Sequence, residues 1–135
     1  MVGSNQPPAR PLSPHLQIYR FEINMMMSIL HRISGAALYF GTILLALWLL
    51  AAAIGPDYLT AANAAWSSWL GRVVLLGFTW ALMLHAAGGV RHLIWDTGRA
   101  LDIASVNRLC WTTLILSVVL TIAVWEIGYW LRGAM

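Results

Sequence analysis

Three long apolar stretches without charged residues constrain this chain more than any other feature of its sequence. Their limits are Ile33 and Pro56, Arg72 and Arg91, and Arg108 and Arg132, with Glu126 as the one charge inside the third stretch. A helix that crosses about 30 Å of hydrocarbon needs roughly 20 mostly apolar residues. The pattern therefore predicts an all-α membrane protein with three transmembrane helices, at approximately residues 28–54, 68–95 and 108–131.

The composition agrees with a membrane environment and argues against a soluble or nucleic-acid-binding domain. Hydrophobic residues make up 60% of the chain, charged residues make up 10%, and the mean hydropathy is +0.73. The net charge of +3 comes from scattered arginines, with no lysine, so no basic patch for nucleic acid is indicated. We expect an N-terminal segment, residues 1–27, followed by a three-helix transmembrane domain, residues 28–135.

The connection between the first two spans also has a readable pattern. Gly55, Pro56 and Asp57 form a turn signal that ends the first helix. The alanine-rich segment Tyr58–Trp66 then predicts a short helix at the membrane interface, before Ser67 or Ser68 caps the second span.

The arginines predict the orientation of the helices. They are more numerous before the first span and between the second and third spans than at the opposite ends, and positive charge is retained on the cytoplasmic side. The N-terminus is therefore expected in the cytoplasm. The first residues resemble neither a signal peptide nor a mitochondrial transit peptide, which favours a bacterial inner membrane over the alternative, the mitochondrial inner membrane.

Of the four histidines, His85 lies deepest in an apolar stretch. It precedes Arg91 by six residues, or about 9 Å along a helix. In "LHAAGGVRHLIWD", His85 shares one helix face with Gly88, Gly89 and His92 at i, i+3, i+4 and i+7. An ionisable side chain inside a span usually marks a functional site.

Two interpretations of this face remain open from spacing alone. The glycines could leave room for a flat macrocycle whose iron is bound by the imidazole of His85, or they could let a second helix approach while His85 forms a hydrogen bond across the contact. Zinc is disfavoured because Cys110 is the only cysteine. A haem here would be b-type, since no C-x-x-C-H is present, and its second axial ligand would come from a partner subunit or a second copy.

Three motifs in order give the chain a family resemblance. "RPLSPHLQIY" (Arg10 to Tyr19), "SILHRISG" (Ser28 to Gly35) and "HAAGGVRHLIWDTG" (His85 to Gly98) resemble the cytochrome b556 membrane-anchor subunits of succinate dehydrogenase, respiratory complex II. The resemblance implies half of a heterodimeric helical bundle, in which a second three-helix anchor helps to hold one haem b and a ubiquinone site. A flavoprotein that oxidises succinate and an iron–sulfur protein would dock on the cytoplasmic or matrix side.

The same resemblance assigns roles to four residues. His85 matches the axial ligand of the haem iron, Ser28 and Arg32 match residues of the ubiquinone site, and His31 and Arg32 lie near the haem propionates. These roles are chemically reasonable. Arg32 stays protonated, so it can hold a quinone oxygen or a propionate without titrating. Ser28 lies at i−4 from Arg32 and can donate a hydroxyl hydrogen bond to a quinone carbonyl.

Each assignment has a simpler alternative. Arg32 could extend to lipid phosphate and fix the topology, and Ser28 could be only the N-cap of the first helix. The chain as a whole could be a structural membrane anchor without a redox role. A third interpretation, a small transporter or channel subunit with His85 as a proton relay, would require more ionisable residues within the spans than His85 and Glu126.

Overall fold

The computed structural model describes residues 15–134, which contain four α-helices and no β-strand. The helices are α1 (Ile23–Ile54), α2 (Pro56–Ser67), α3 (Trp69–Asp96) and α4 (Ile103–Ala134). Within this range, α1, α3 and α4 are long and apolar enough to cross a membrane. The expected all-α class with three spanning helices is confirmed.

Two helices begin earlier than the sequence indicated. The expected starts were residues 28 and 108, whereas α1 begins at Ile23 and α4 at Ile103. The predicted starts follow from the ends of the apolar stretches. An arginine ends such a stretch but does not end a helix, because the helix can continue out of the hydrocarbon into the interface. Ser28 therefore lies inside α1, and the alternative that it caps this helix is wrong. Residues 1–14 of the expected N-terminal segment lie outside the described residues.

Asp102 explains the early start of α4. Its carboxylate accepts a hydrogen bond from the backbone N–H of Ser105 at 2.9 Å, the usual arrangement of an N-cap residue. Two hydrogen bonds from Ser105 lower the pKa of Asp102 below its ordinary value. The larger effect comes from the Ser105 side chain and the smaller from its backbone N–H. The charged form of the carboxylate is therefore the form that stabilises the first turn of α4.

The connection between α1 and α3 has the expected chemistry. Gly55 ends α1 with a φ of 155°, outside the range that residues with a side chain readily adopt, and Pro56 opens α2. The predicted interfacial helix is present as α2. Ser68 is the N-cap of α3, and its hydroxyl accepts a hydrogen bond from the backbone N–H of Gly71 at 3.1 Å.

The three long helices pack with α3 in contact with both α1 and α4, and α2 covers one end. The small apolar core lies at the opposite end and is formed by Met27 of α1, Leu84 of α3 and Cys110 of α4. Hydroxyl groups join α3 to α4 further along, where the indole N–H of Trp80 donates to Ser117 at 3.2 Å. Such interhelical hydrogen bonds are a common means of packing in membranes.

Much of the apolar surface remains uncovered. Large side chains of α1 are uncovered, including Tyr39 at 71% and Phe40 at 65% exposure. At the α2 end, α1 and α3 border a cavity of about 450 Å³ that is lined by Phe40, Gly41 and Phe78 among others. The described chain therefore offers a wide apolar face to lipid or to another membrane protein.

Candidate functional site

Three imidazoles meet at the end of the bundle opposite α2. His31 of α1 and His85 of α3 stack in parallel, with ring centroids 4.1 Å apart and an angle of 4° between the ring planes. The ring of His92 lies 5.1 Å from that of His31 at an angle of 55°. The close approach of α1 and α3 at this level brings together two histidines that are 54 positions apart in the sequence.

Two glycines make the close approach possible. A Cβ atom on Gly88 would lie 2.5 Å from Nδ1 of His31, and a Cβ on Gly35 would lie 3.0 Å from Cε1 of His85. Gly88 of α3 thus leaves room for the imidazole of His31, and Gly35 of α1 leaves room for the imidazole of His85. Of the two interpretations of this face, the approach of a second helix describes Gly88, since His31 of α1 fills the space beside it. Gly89, in contrast, has open space where its Cβ would be.

The contacts of His85 favour one tautomer of its ring. Its Nδ1 lies 3.2 Å from the backbone oxygen of His31 and 3.3 Å from Oγ of Ser34, whose hydroxyl lies 2.9 Å from the same oxygen. A carbonyl oxygen can only accept, so a proton on Nδ1 satisfies its contact with the His31 oxygen. In that neutral tautomer Nε2 keeps its lone pair.

This arrangement is the one that a metal-binding histidine usually has. A ligating imidazole generally donates its other ring N–H to a carbonyl or carboxylate, which fixes the ring and raises its basicity. Within the described chain, Nε2 of His85 takes part in no hydrogen bond. Residues 15–134 contain no group of three histidine, cysteine or carboxylate side chains around a common metal position. The geometry suits an iron that takes a single ligand from this chain.

Ser34 was missed by the sequence reasoning, although it lies within the quoted motif "SILHRISG". Its side chain is only 4% exposed and contacts both His31 and His85. The available signal was its position at i+3 from His31, which places both residues on one face of α1.

A buried arginine lies at the same end and was also missed. Arg91 is only 3% exposed, and its guanidinium carbon lies 5.0 Å from the centre of the Trp95 ring. Its Nη1 donates to the sulfur of Cys110 at 3.7 Å, a weak interaction. The Nε of Arg91, Nε1 of Trp95 and Nδ1 of His31 are buried without a hydrogen-bond partner in the described chain. Such groups are costly to leave unpaired.

Ser28 and Arg32 lie close together, as their spacing predicts. Nη2 of Arg32 donates to Oγ of Ser28 at 3.0 Å, and both side chains are exposed on α1. Arg32 therefore has unused donors that point away from the protein interior. His92 and Asp96 form no hydrogen bond with each other, and the ring of His92 instead packs edge-on against Trp95 at 5.4 Å.

These features define a class of protein: a three-span membrane protein with stacked imidazoles between two of its spans and a wide apolar surface left uncovered. The comparisons with known proteins identify the family. The family described as "Succinate dehydrogenase/Fumarate reductase transmembrane subunit" matches residues 6–124. The chain belongs to this family.

Curated relatives agree with the family match. The Paracoccus denitrificans protein named succinate dehydrogenase cytochrome b556 subunit is 42% identical over 113 residues, 84% of this chain and 87% of that protein. The Rickettsia felis protein of the same name is 38% identical over 116 residues, 86% of this chain and 90% of the relative. A mitochondrial relative from Sus scrofa, named succinate dehydrogenase cytochrome b560 subunit, is 38% identical over 122 residues, 87% of this chain and 68% of its own length.

The match confirms the predicted membership in the succinate dehydrogenase anchor family. The chain is thus a transmembrane subunit of an oxidoreductase and is not catalytic on its own. The transporter interpretation of His85 loses its support, because the family accounts for the histidine-bearing spans without it.

Proposed function

We propose that this chain is the haem b-binding membrane anchor of a succinate:quinone oxidoreductase and forms part of its ubiquinone-reduction site. The observation that carries the proposal is the environment of His85. Its Nδ1 donates to the His31 backbone oxygen, and its Nε2 is left with a free lone pair. The runner-up function, a structural anchor without a redox role, does not require this tautomer.

His85 would hold the iron of one haem b through Nε2, and the partner anchor subunit would supply the other protein ligand. When bound, a haem b accepts and releases single electrons. His31 and Arg32 would lie near its propionates. Open space beside Gly89 supports the fit, and the unpaired Nδ1 of His31 supports an acceptor nearby.

Ser28 and Arg32 would bind the quinone. The bond between Arg32 and the Ser28 hydroxyl brings two donors to the same exposed position on α1. A quinone carbonyl can accept from both groups, and the permanent charge of Arg32 favours the negative charge that develops during reduction. Because Arg32 does not release its proton, the two protons of quinone reduction would come from the aqueous phase.

Several subunits would complete the assembly. A second three-helix anchor would cover the exposed apolar face of α1, where Tyr39 and Phe40 lie. The iron–sulfur subunit, which carries electrons from the flavoprotein subunit, would dock at the histidine end. By the arginine distribution this end faces the cytoplasm of a bacterium, and the membrane is the inner membrane, with the mitochondrial inner membrane as the alternative.

A visible difference spectrum tests the haem assignment. The complex is purified through this chain as wild type, His85→Ala and His15→Ala, the last being a control because His15 is exposed and precedes α1. We expect a sharp b-type α-band in the reduced-minus-oxidised spectrum of the wild type and the control, and its loss in His85→Ala. Full haem content in His85→Ala would contradict the proposal. A flat spectrum from a fully assembled wild-type complex would favour the structural anchor.

A further inference from the structure

The end of the bundle that carries α2 contains a second feature, a polar groove of about 540 Å³ between α2, α3 and α4. Two arginines line it, Arg72 of α3 and Arg132 of α4. They are 60 positions apart in the sequence, and only the antiparallel packing of the two helices brings them to one groove. Along α3, Arg72 is 13 residues from His85, or about 20 Å, so this groove is separate from the histidine site.

The charge of the groove requires an explanation. No carboxylate is among its lining residues, and both arginines are exposed. Arg72 lies in the first turn of α3, where the helix dipole disfavours a cation. Arg132 lies in the last turn of α4, where the dipole favours one. An anion bound in this groove would offset the unfavourable position of Arg72 and match the positive charge of both side chains.

The lining of the groove also changes from polar to apolar along the helix axes, from the membrane interface inward. Ser67 and Tyr129 add hydroxyl groups near the arginines, whereas Leu75 and Val124 line the deeper part. Val124 is eight residues from Arg132, which places it about 12 Å further along the helix axis. A ligand that matches this lining has an anionic, hydrogen-bond-accepting head and an apolar tail.

We propose that this groove is a binding site for one anionic phospholipid, with its phosphate held between Arg72 and Arg132 and an acyl chain along Leu75 and Val124. Arginine forks bind phosphate oxygens in pairs, which gives a selectivity that general attraction to a charged surface does not. The tail distinguishes a phospholipid from free phosphate, since free phosphate would leave Leu75 and Val124 unused. This inference does not depend on haem or quinone binding.

Native mass spectrometry of the purified complex tests the proposal, with phosphatidylglycerol and zwitterionic phosphatidylethanolamine as added probes. The variants are Arg72→Gln, Arg132→Gln and the double variant. The matched control is Arg99→Gln, which removes one charge from an exposed arginine at the other end. We expect one tightly bound phosphatidylglycerol and a loss of affinity of about fivefold for each groove arginine. Arg99→Gln and added inorganic phosphate should leave that affinity unchanged.

Three results would overturn the proposal. They are equal binding of the two lipids to the wild type, wild-type affinity in the double variant, and displacement of the lipid by inorganic phosphate at millimolar concentration. If the double variant fails to assemble, the wild-type complex provides a second test of the proposal. Its affinity for phosphatidylglycerol must fall when salt is raised to roughly 0.5 M. An affinity that is insensitive to salt would contradict an arginine–phosphate contact.

Discussion

The two ends of the bundle differ in how closely α1 and α3 approach. At the histidine end they are separated only by the stacked rings of His31 and His85, 4.1 Å apart, and polar side chains are buried between them. At the α2 end the same two helices surround a cavity of about 450 Å³. This difference indicates that α1 and α3 pack most tightly where they hold polar side chains, the imidazoles of His31 and His85, in fixed positions. The open end has room to adapt to its surroundings.

A pair of glycine substitutions tests this difference and should give the largest effect. Gly88→Ala places a Cβ atom 2.5 Å from Nδ1 of His31, so the stacked ring must move. Overpacking of this kind costs about 1–3 kcal/mol. Gly41→Ala also meets an aromatic ring, that of Phe78, but this ring borders the cavity, and we expect it to move into that space. We expect a lower melting temperature and lower haem retention for Gly88→Ala alone.

Gly77→Ala is the matched control for Gly88→Ala. It introduces the same methyl group on α3, at a glycine whose added Cβ would have nothing within 4 Å. Removing a helical glycine stabilises by roughly 0.5–1 kcal/mol, so the melting temperature of Gly77→Ala should be unchanged or slightly raised. Equal losses in Gly88→Ala and Gly41→Ala would show that the two ends are packed alike.

A smaller effect is expected from Ser34→Ala at the histidine end. The substitution removes the hydroxyl that contacts His31 and His85, leaving only the backbone oxygen of His31 to hold Nδ1 of His85. A buried hydrogen bond contributes about 1 kcal/mol, which corresponds to a roughly fivefold weaker retention of haem. Haem loss to an excess of apomyoglobin measures this retention.

The control for Ser34→Ala is Thr42→Val, which removes an exposed hydroxyl that donates to the backbone oxygen of Tyr39 in the same helix. Haem retention in this variant should equal that of the wild type. If Ser34→Ala behaves in the same way, the hydroxyl of Ser34 has no part in orienting His85.

The smallest predicted effect concerns Asp102, which lies outside the spans at the start of α4. Because hydrogen bonds from Ser105 lower the pKa of Asp102 in the folded state, its stabilising contribution is complete above the ordinary pKa of an aspartate. The contribution is lost as the pH falls through the lowered value. Hydrogen exchange at the Ser105 amide, measured between about pH 5 and pH 3, should show increasing opening on acidification.

Asp102→Asn provides the comparison, since asparagine is also a good N-cap but does not titrate in this range. We expect the pH-dependent part of the opening at Ser105 to disappear in this variant. The same pH dependence in Asp102→Asn would assign the effect to another group.

The sequence predicts features that depend on a single segment of the chain. It does not predict features that depend on contacts between residues far apart in the sequence. The spans follow from local hydrophobic length, and the importance of His85 follows from its depth in an apolar helix; both are properties of a single segment. The contacts of His85 with Ser34 and His31 join residues 51 and 54 positions apart. They depend on how α1 is rotated against α3, and no periodicity within one helix specifies that rotation.

The burial of Arg91 is a second feature that the sequence of one segment does not predict. In the sequence Arg91 ends an uncharged stretch, and such an arginine is expected to extend to the membrane surface. In the structure it is 3% exposed, because Cys110 of α4 lies against its guanidinium and the ring of Trp95 packs over it.

The unpaired buried nitrogens of Arg91, Trp95 and His31 have a consequence for the amount of this subunit in the cell. A copy without partner subunits retains these groups unsatisfied, and a region that opens at low free-energy cost is a preferred substrate for membrane proteases. Hydrogen bonds from partner subunits would suppress that opening. The amount of this chain would thus be matched to that of its partners by selective degradation of orphan copies, without any need for equal rates of synthesis.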